Sequence, residues 1–373
     1  MIKGWLFFAL AVLLLHMRAK ANIETSFLGG NDSTAIMKPE KQERSFKRFI
    51  RSLTTVDTNY VTSNSYRSTV MMDGEKHFSF YRISGENENK KTQSLYLSPY
   101  STWQVGPYVG YSILFLGVTI DVSTKQTSLN RSNLYLSLYT PLIGVDYYYQ
   151  RGKDNYKIER VKGFDSEADN AVKNVSLPGM STYLQSLFVY YIFNHKKFSY
   201  PAAYSQTTQQ KRSCGSLMIG FNYTRQKLNF DYTQLPDLLL YDNNGNEKIY
   251  DGLKVNSISY RDYSIGIGYS YNWAFARNCL FNITLTPTIG YNVNNGEKLE
   301  LSTKLFSTKQ LNFDFITRSA LVWNTGKYYV GGTFTGHTYS YHKSSFSILN
   351  ALMSLQVYAG LNFWLKKSAK NRK

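Results

Sequence analysis

The chain has 373 residues, a net charge of +18, and 16% aromatic residues that include 32 Tyr. Mean hydropathy is -0.35, and beyond the N-terminus there is no run of about 18 or more apolar residues, so a bundle of membrane helices is excluded. A transmembrane β-barrel is not excluded, because every second residue of its strands faces the lumen and is polar. A soluble periplasmic β-sandwich binding protein has the same composition.

Lys3, the apolar run Trp5–Leu15 and the Ala19-Lys20-Ala21 sequence have the layout of a signal peptide, expected over 1–21. An exported chain makes nucleic acid an improbable partner for the basic balance. The expected counter-charges are outer-membrane lipid headgroups, lipopolysaccharide or another anionic polysaccharide, although Lys and Arg at strand ends and in loops account for the same total. Residues 22–62 read as a flexible leader with Gly29-Gly30 and Asn31-Asp32-Ser33. Within it, Phe46, Phe49, Ile50 and Leu53 share one face of a short basic amphipathic helix over about 40–54. That helix suits a membrane surface, a plug at a barrel mouth, or simple docking on the domain.

From Tyr66 the period changes to two. In 279–291, Cys279, Phe281, Ile283, Leu285, Pro287, Ile289 and Tyr291 alternate with a row that is Asn, Thr and Gly from Asn282 onward. Ile265, Ile267, Tyr269, Tyr271 and Trp273 alternate with Ser264, Gly266, Gly268, Ser270 and Asn272, and Leu355, Val357, Ala359, Leu361 and Phe363 do the same with Gln356, Tyr358, Gly360 and Asn362. An apolar row facing lipid and a small polar row facing a lumen describe an outer-membrane strand.

Further segments of this kind bring the expectation to an all-β, closed antiparallel barrel of about 12 strands over 63–364, followed by a basic tail, 365–373. The expected short links fall near 113–115, 140–142, 274–277 and 324–326. The expected long ones are 84–102, 123–131, 151–181, 226–260, 292–310 and 337–351. Short and long links then segregate to opposite ends, which places both termini in the periplasm and gives β-barrel assembly machinery as a partner.

One link breaks the rule. Residues 195–213 are long, aromatic and basic, yet belong to the short-turn end. His195, Lys196, Lys197, Tyr200, Tyr204, Lys211 and Arg212 are therefore candidates for a constriction folded into the lumen. Asp314 and Arg318 share the face opposite Phe313 and Phe315 and are expected to line the lumen. Cys214 and Cys279 begin strands separated by a third, too far apart for a disulfide, and are expected as free thiols.

No G-x-S-x-G, H-E-x-x-H, C-x-x-C or P-loop pattern occurs, and no cofactor, metal or catalytic set is assigned. His337 and His342 are read as solvated residues of one external loop. A barrel enzyme acting on lipid or lipopolysaccharide would have to centre on His77 or His195, which lack a serine or carboxylate partner by spacing. The small-molecule or polysaccharide substrate of a transport role is not legible.

The segments G-P-Y-V-G-Y-S-I-L-F-L-G-V-T-I-D-V (106–122), L-Y-L-S-L-Y-T-P-L-I-G-V-D-Y-Y-Y (134–149), Y-I-F-N-H-K-K-F-S-Y-P-A-A-Y-S-Q (191–206) and Q-K-R-S-C-G-S (210–216) resemble a family described as a domain of unknown function. Its members are exported Bacteroidota proteins expected to be outer-membrane barrels. The likeness runs from about Phe46 to Phe363. It implies an exported barrel of pore, transport or surface-structural role and no activity.

Overall fold

A computed structural model of the chain describes residues 55–101, 103–122, 131–153, 156–165, 167–294, 311–343 and 345–366. The expected signal peptide, the amphipathic helix at 40–54 and most of the basic tail lie outside them. The strands are β1 (Val61–Ser63), β2 (Tyr66–Glu86), β3 (Thr92–Pro99), β4 (Trp103–Tyr111), β5 (Leu114–Asp121), β6 (Arg131–Tyr139), β7 (Ile143–Lys153), β8 (Tyr156–Lys162) and β9 (Ser176–Leu177). They continue with β10 (Ser181–Ile192), β11 (Thr208–Gln210), β12 (Cys214–Asn229), β13 (Ser257–Ala276), β14 (Cys279–Asn294), β15 (Leu311–Asn324), β16 (Tyr328–Lys343) and β17 (Phe346–Leu365).

Twelve of them, β2, β4 to β7, β10 and β12 to β17, form one antiparallel sheet that closes where β17 pairs with β2 from Phe346↔Gly85 to Leu365↔Tyr66. This closed barrel replaces the alternative of a β-sandwich. The upper part of β2 rises past the end of β4 and carries β3, β8 and β9 as an outward extension of the sheet. The expected loops 84–102 and 151–181 therefore contain strands.

The alternation decides which way each strand faces. In β14 Asn282, Thr284, Thr286 and Thr288 are buried, while Ile283, Leu285 and Ile289 are exposed. In β13 Ser264, Ser270 and Asn272 are buried, and Ile265, Ile267 and Trp273 stand outside. The outer surface carries Phe313 at 74% exposure and Ile267 at 64%. Apolar exposure this continuous on a chain that buries Asn, Thr, Asp and Glu fits contact with lipid, and the barrel is a transmembrane one.

The links at 112–113, 140–142, 277–278 and 325–327 lie at one end of the barrel, hereafter the turn end, together with 193–213. The opposite, loop end holds the long connections and one exception: β16 and β17 are joined across 344–345 alone. The expected loop at 337–351 is strand, and His337 and His342 belong to β16. The outward row of β16 weakens to Gly332, Gly336 and Thr338, so its apolar alternation fades from the sequence before the strand ends.

A closed barrel of eight strands can be filled by side chains alone, and twelve leave more room. Part of that room is taken by tyrosines laid over glycines of the next strand. Tyr190 is paired with Gly144, and Tyr329 with Gly360. A Cβ at Gly144 would stand 2.1 Å from Tyr190 Cζ, and one at Gly360 2.4 Å from the Tyr329 hydroxyl. Gly144 and Gly360, and Gly117 beneath Tyr108, are thus seats for rings, which the high Tyr content supplies.

The loop end carries an apolar core. Inward residues of the wall, including Tyr81 and Ile83 of β2, Tyr260 of β13 and Ile348 of β17, pack with Leu95 and Leu97 of β3, Ile158 of β8, and Leu239 and Leu253 of the 230–256 connection. The connection is tied down locally. The backbone N–H of Asn246 donates to Asp242 and holds its carboxyl below the usual carboxylate range. Glu247 and Asp251 grip Lys254 and raise its ammonium above the ordinary lysine value.

Replacing Gly144 by Val overpacks the Tyr190 seat and is expected to cost about 1–3 kcal/mol. The check is the temperature at which the compact band of the unboiled protein converts to the unfolded one on gels: it falls for Gly144→Val. An unchanged temperature would mean that Tyr190 does not rest on Gly144.

Candidate functional site

Residues 193–213 turn into the barrel instead of away from it. Pro201 opens a one-turn helix, Pro201–Tyr204, whose fixed φ suits a first helical position, and the turn carries Tyr200 and Tyr204 upward into the lumen. Phe198, Tyr200, Ala202 and Ala203 are all buried. Behind the turn, β11 pairs with β1, so the chain entering the barrel docks on the plug from below. Asp57 N donates to Lys196 O at 2.7 Å and Lys211 N to Tyr60 O at 2.7 Å.

The plug is held by amides of the wall. Asn272 Nδ2 donates to Ser199 O at 2.8 Å, and Asn324 Nδ2 to Gln206 Oε1 at 3.2 Å. Gln206 Nε2 donates in turn to the Tyr358 hydroxyl at 3.0 Å, and the Tyr204 hydroxyl to Asn282 Oδ1 at 2.7 Å. Buried polar groups must be paired, and here Asn272, Asn282, Asn324 and Tyr358 of the wall pair with backbone and side chains of the plug.

At the tip of the plug lies an ion pair. Arg318 of β15 meets Asp146 of β7 across the lumen, Nη1 to Oδ2 at 2.8 Å. Arg318 Nη1 also donates to the Tyr200 hydroxyl at 3.3 Å, and its guanidinium lies over the Tyr204 ring at 5.5 Å. The Tyr139 hydroxyl occupies the second oxygen of Asp146 at 2.7 Å. One charge pair therefore joins two sides of the wall to the plug.

Between plug and cap remains a chamber of about 190 Å³. Its lining includes Glu75, His77, Asp146, Arg318, His337 and Tyr339. His337 stacks on Tyr339 with ring centroids 3.8 Å apart. His77 Nε2 lies 3.2 Å from Glu75 Oε2 and 2.7 Å from Asn133 Nδ2, and the Tyr135 hydroxyl donates to Glu75 at 2.6 Å. At roughly 30 Å³ per water, the volume corresponds to about six waters, well below the 300–1,000 Å³ of ordinary ligand pockets.

Of the residues singled out from the sequence, Tyr200, Tyr204, Asp314 and Arg318 lie inside the barrel. Lys196, Lys197, Lys211 and Arg212 do not: all four are exposed on the outer side of the plug. Lys197 and Arg212 sit over the Tyr60 ring at 5.2 and 5.8 Å. Their charge would cost several kcal/mol to bury without partners, so the segment turns its aromatic side inward and its basic side to water. His195, half-buried in the turn after β10, is absent from the chamber lining. Cys214 and Cys279 are free thiols at the start of β12 and β14, with β13 between them. The sequence reading missed Asp146 as the partner of Arg318, and Glu75 beside His77. Glu75 was legible in principle, since residues two apart on a strand share a face.

Truncating Arg318 alone strands the Asp146 charge. Arg318→Met is expected to destabilise the barrel by about 3–5 kcal/mol, and Asp146→Leu/Arg318→Met to recover most of it. Urea unfolding of the purified protein in micelles decides this: equal losses in single and double variants would contradict the pairing.

A model for a domain of unknown function matches residues 55–363, essentially the whole barrel. No curated protein sequence matches the chain. Among solved structures, the chain is similar to the outer membrane protease OmpT from Escherichia coli, at 9% identity, 81% of this chain, 98% of that chain and a TM-score of 0.36. It is also similar to the translocator domain of autotransporter NalP from Neisseria meningitidis, at 9% identity over 87% and 95% of the two chains with a TM-score of 0.31. A third is the P. putida toluene transporter TodX, at 7% identity over 80% and 91% with a TM-score of 0.29.

Proposed function

We propose that this chain, which belongs to the family described as Domain of unknown function (DUF4421), is a non-catalytic outer-membrane barrel that keeps its lumen shut and acts through the surfaces at its two ends. The observation that carries this reading is the double closure: the plug residues Phe198 to Ala203 below, and the apolar core around Ile83, Leu95, Leu97 and Leu253 above. A permanent pore would gain nothing from two independent seals, one of them a hydrophobic core. Among the three roles open to such a barrel, surface-structural presentation fits this better than pore or transport.

In the orientation we favour, the turn end with β1, the plug and the chain termini faces the periplasm, and the cap faces outward, as short turns and long loops are arranged in outer-membrane barrels. The leader sequence and the resemblance to exported Bacteroidota proteins support that orientation. The exposed Lys196, Lys197, Lys211 and Arg212 would then meet periplasmic anions. On the outer surface toward the loop end, Lys76 lies 5.8 Å from the Trp103 ring centroid, and Arg82 and Lys162 flank Tyr96 at 5.7 and 5.9 Å. Cations held against aromatics at a membrane boundary suit the phosphates of lipid or lipopolysaccharide. β17, the last strand, is the segment we assign to recognition by the assembly machinery.

A catalytic reading would rest on the Glu75–His77–Asn133 cluster, but Glu75 and Asn133 both meet the same ring nitrogen, His77 Nε2, which is not how a carboxylate orients a histidine base. Its chamber is too small for a lipid, and plug and cap close it. Single-channel recording in planar bilayers tests the closed lumen. The intact protein is expected to show no current steps, and a variant with both 196–211 and 231–255 replaced by short turns is expected to conduct. Stable open-channel steps from the intact protein would overturn the proposal.

A further inference from the structure

Below the cap, on the inner face, β13, β14 and β15 bring together a group of oxygens with nothing to accept. Asp262 stands directly opposite Asn292, Gly290 opposite Asn312, and Thr288 opposite Asp314. Asp262 is 1% exposed, and neither of its carboxylate oxygens makes a well-formed hydrogen bond, the Ser264 hydroxyl and the Asn312 amide being the polar groups beside it. Asn292 Oδ1, Asn312 Oδ1 and Thr288 Oγ1 are likewise buried and unpartnered.

The amides are held by their nitrogens. Asn312 Nδ2 donates to Asp314 Oδ2 at 2.6 Å, and Asn292 Nδ2 to Ser340 O at 2.9 Å. Ser340 N donates to the remaining oxygen of Asp314 at 2.9 Å. Asn312 therefore points its Oδ1 away from Asp314. Flipping the amide would only turn that oxygen onto Asp314 instead, so one carboxylate faces an amide oxygen in either state.

Two of the oxygens meet over Gly290. A Cβ at Gly290 would stand 2.5 Å from Asn312 Oδ1 and 2.6 Å from Asp262 Oδ1, so the missing side chain leaves a space with an oxygen on either side. A pocket of about 320 Å³ at the loop end is lined by Asn292 and Asn312 of this group, together with Ser340, His342, Arg82 and Glu86. No cation pairs with Asp262 or Asp314 among the described residues.

We propose that Asp262, Asn292 and Asn312, with Asp314 behind them, form a binding site for a calcium ion at the loop end of the barrel. The four acceptor oxygens of Asp262, Asn292 and Asn312 make no hydrogen bond, and two of them carry the charge of an enclosed carboxylate. A hard cation satisfies all of them at once, and two carboxylates balance a double positive charge. Calcium takes six to eight oxygens at about 2.3–2.6 Å and accepts carboxylate, amide and water together, whereas magnesium demands a stricter octahedron. With Asp262 and Asn312 as ligands the ion would tie β13 to β15 across Gly290, directly beneath the apolar cap. The sequence reading assigned no metal ligands, since these residues come from three strands and lie up to fifty positions apart.

The test uses the full mature protein in micelles, stripped with EDTA. Calcium is expected to raise the unfolding midpoint progressively, by about 5 °C at saturation. Terbium is expected to luminesce on tyrosine excitation through the neighbouring Tyr260 and Tyr339, and calcium to displace it. Asp262→Asn should fold and lose both responses. Asn292→Ala, which removes a neutral ligand and leaves the charges, should weaken calcium binding at least tenfold. A wild-type protein with neither response would overturn the site, and so would an Asp262→Asn or Asn292→Ala variant that keeps the wild-type response.

Discussion

The pairing of β17 with β2 removes the last free edge of the sheet. In lipid no water satisfies a backbone N–H or C=O, so a spanning sheet has to close on itself. That pairing runs along nearly the whole of both strands, and it gives every barrel strand one face toward lipid and one toward an enclosed volume. The two-residue period follows from it, and so does the composition: Ile, Phe and Trp outside, Asn, Thr and Ser within. What remains is a volume that twelve strands make too wide for their own side chains. The chain fills it with tyrosines seated on glycines, with a plug taken from the β10–β12 connection, and with a cap built from loops.

The filling is polar where it meets the wall and apolar where it meets itself. Tyr200 touches Tyr190 and Tyr204, with ring centroids 5.1 and 4.5 Å apart, while its hydroxyl reaches Arg318. Tyrosine serves both needs, which explains why the lumen uses it more often than Phe. The same logic leaves charged groups enclosed, and each has to be matched. Asp146 has Arg318 and Tyr139; Glu75 has His77 and Tyr135. Asp262 is the carboxylate whose oxygens make no well-formed hydrogen bond, which is why that corner of the lumen points to an ion.

The class of fold was legible because lipid imposes a pattern that local sequence must carry. Ile265 to Trp273 and Ile283 to Ile289 show it without interruption, and strand number followed from counting such segments. It failed where the pattern was not needed. β3 and β8 rise above the membrane and pack on the cap, so their Leu95, Leu97 and Ile158 do not alternate against lipid and read as loop. The end of β16 was lost for the opposite reason, its outward row being glycine and threonine. The plug was legible as an anomaly of length, and the tyrosines singled out in it lie inside the barrel. Its lysines were not separable from them by sequence, because desolvation sorts the two sides of a segment only once it has a barrel to enter. Partners across the lumen, such as Asp146 and Arg318, were beyond reach, since closure rather than proximity in sequence brings them together.

Chemical access to the chamber tests the shut lumen most directly. In a background of Cys214→Ser and Cys279→Ser, a single cysteine at Thr335, a chamber-lining position, reports whether water-borne reagents reach it. A closed barrel predicts that a charged methanethiosulfonate added from either end leaves Thr335→Cys unmodified until the protein is unfolded. Rapid modification of the folded protein from either end would contradict it.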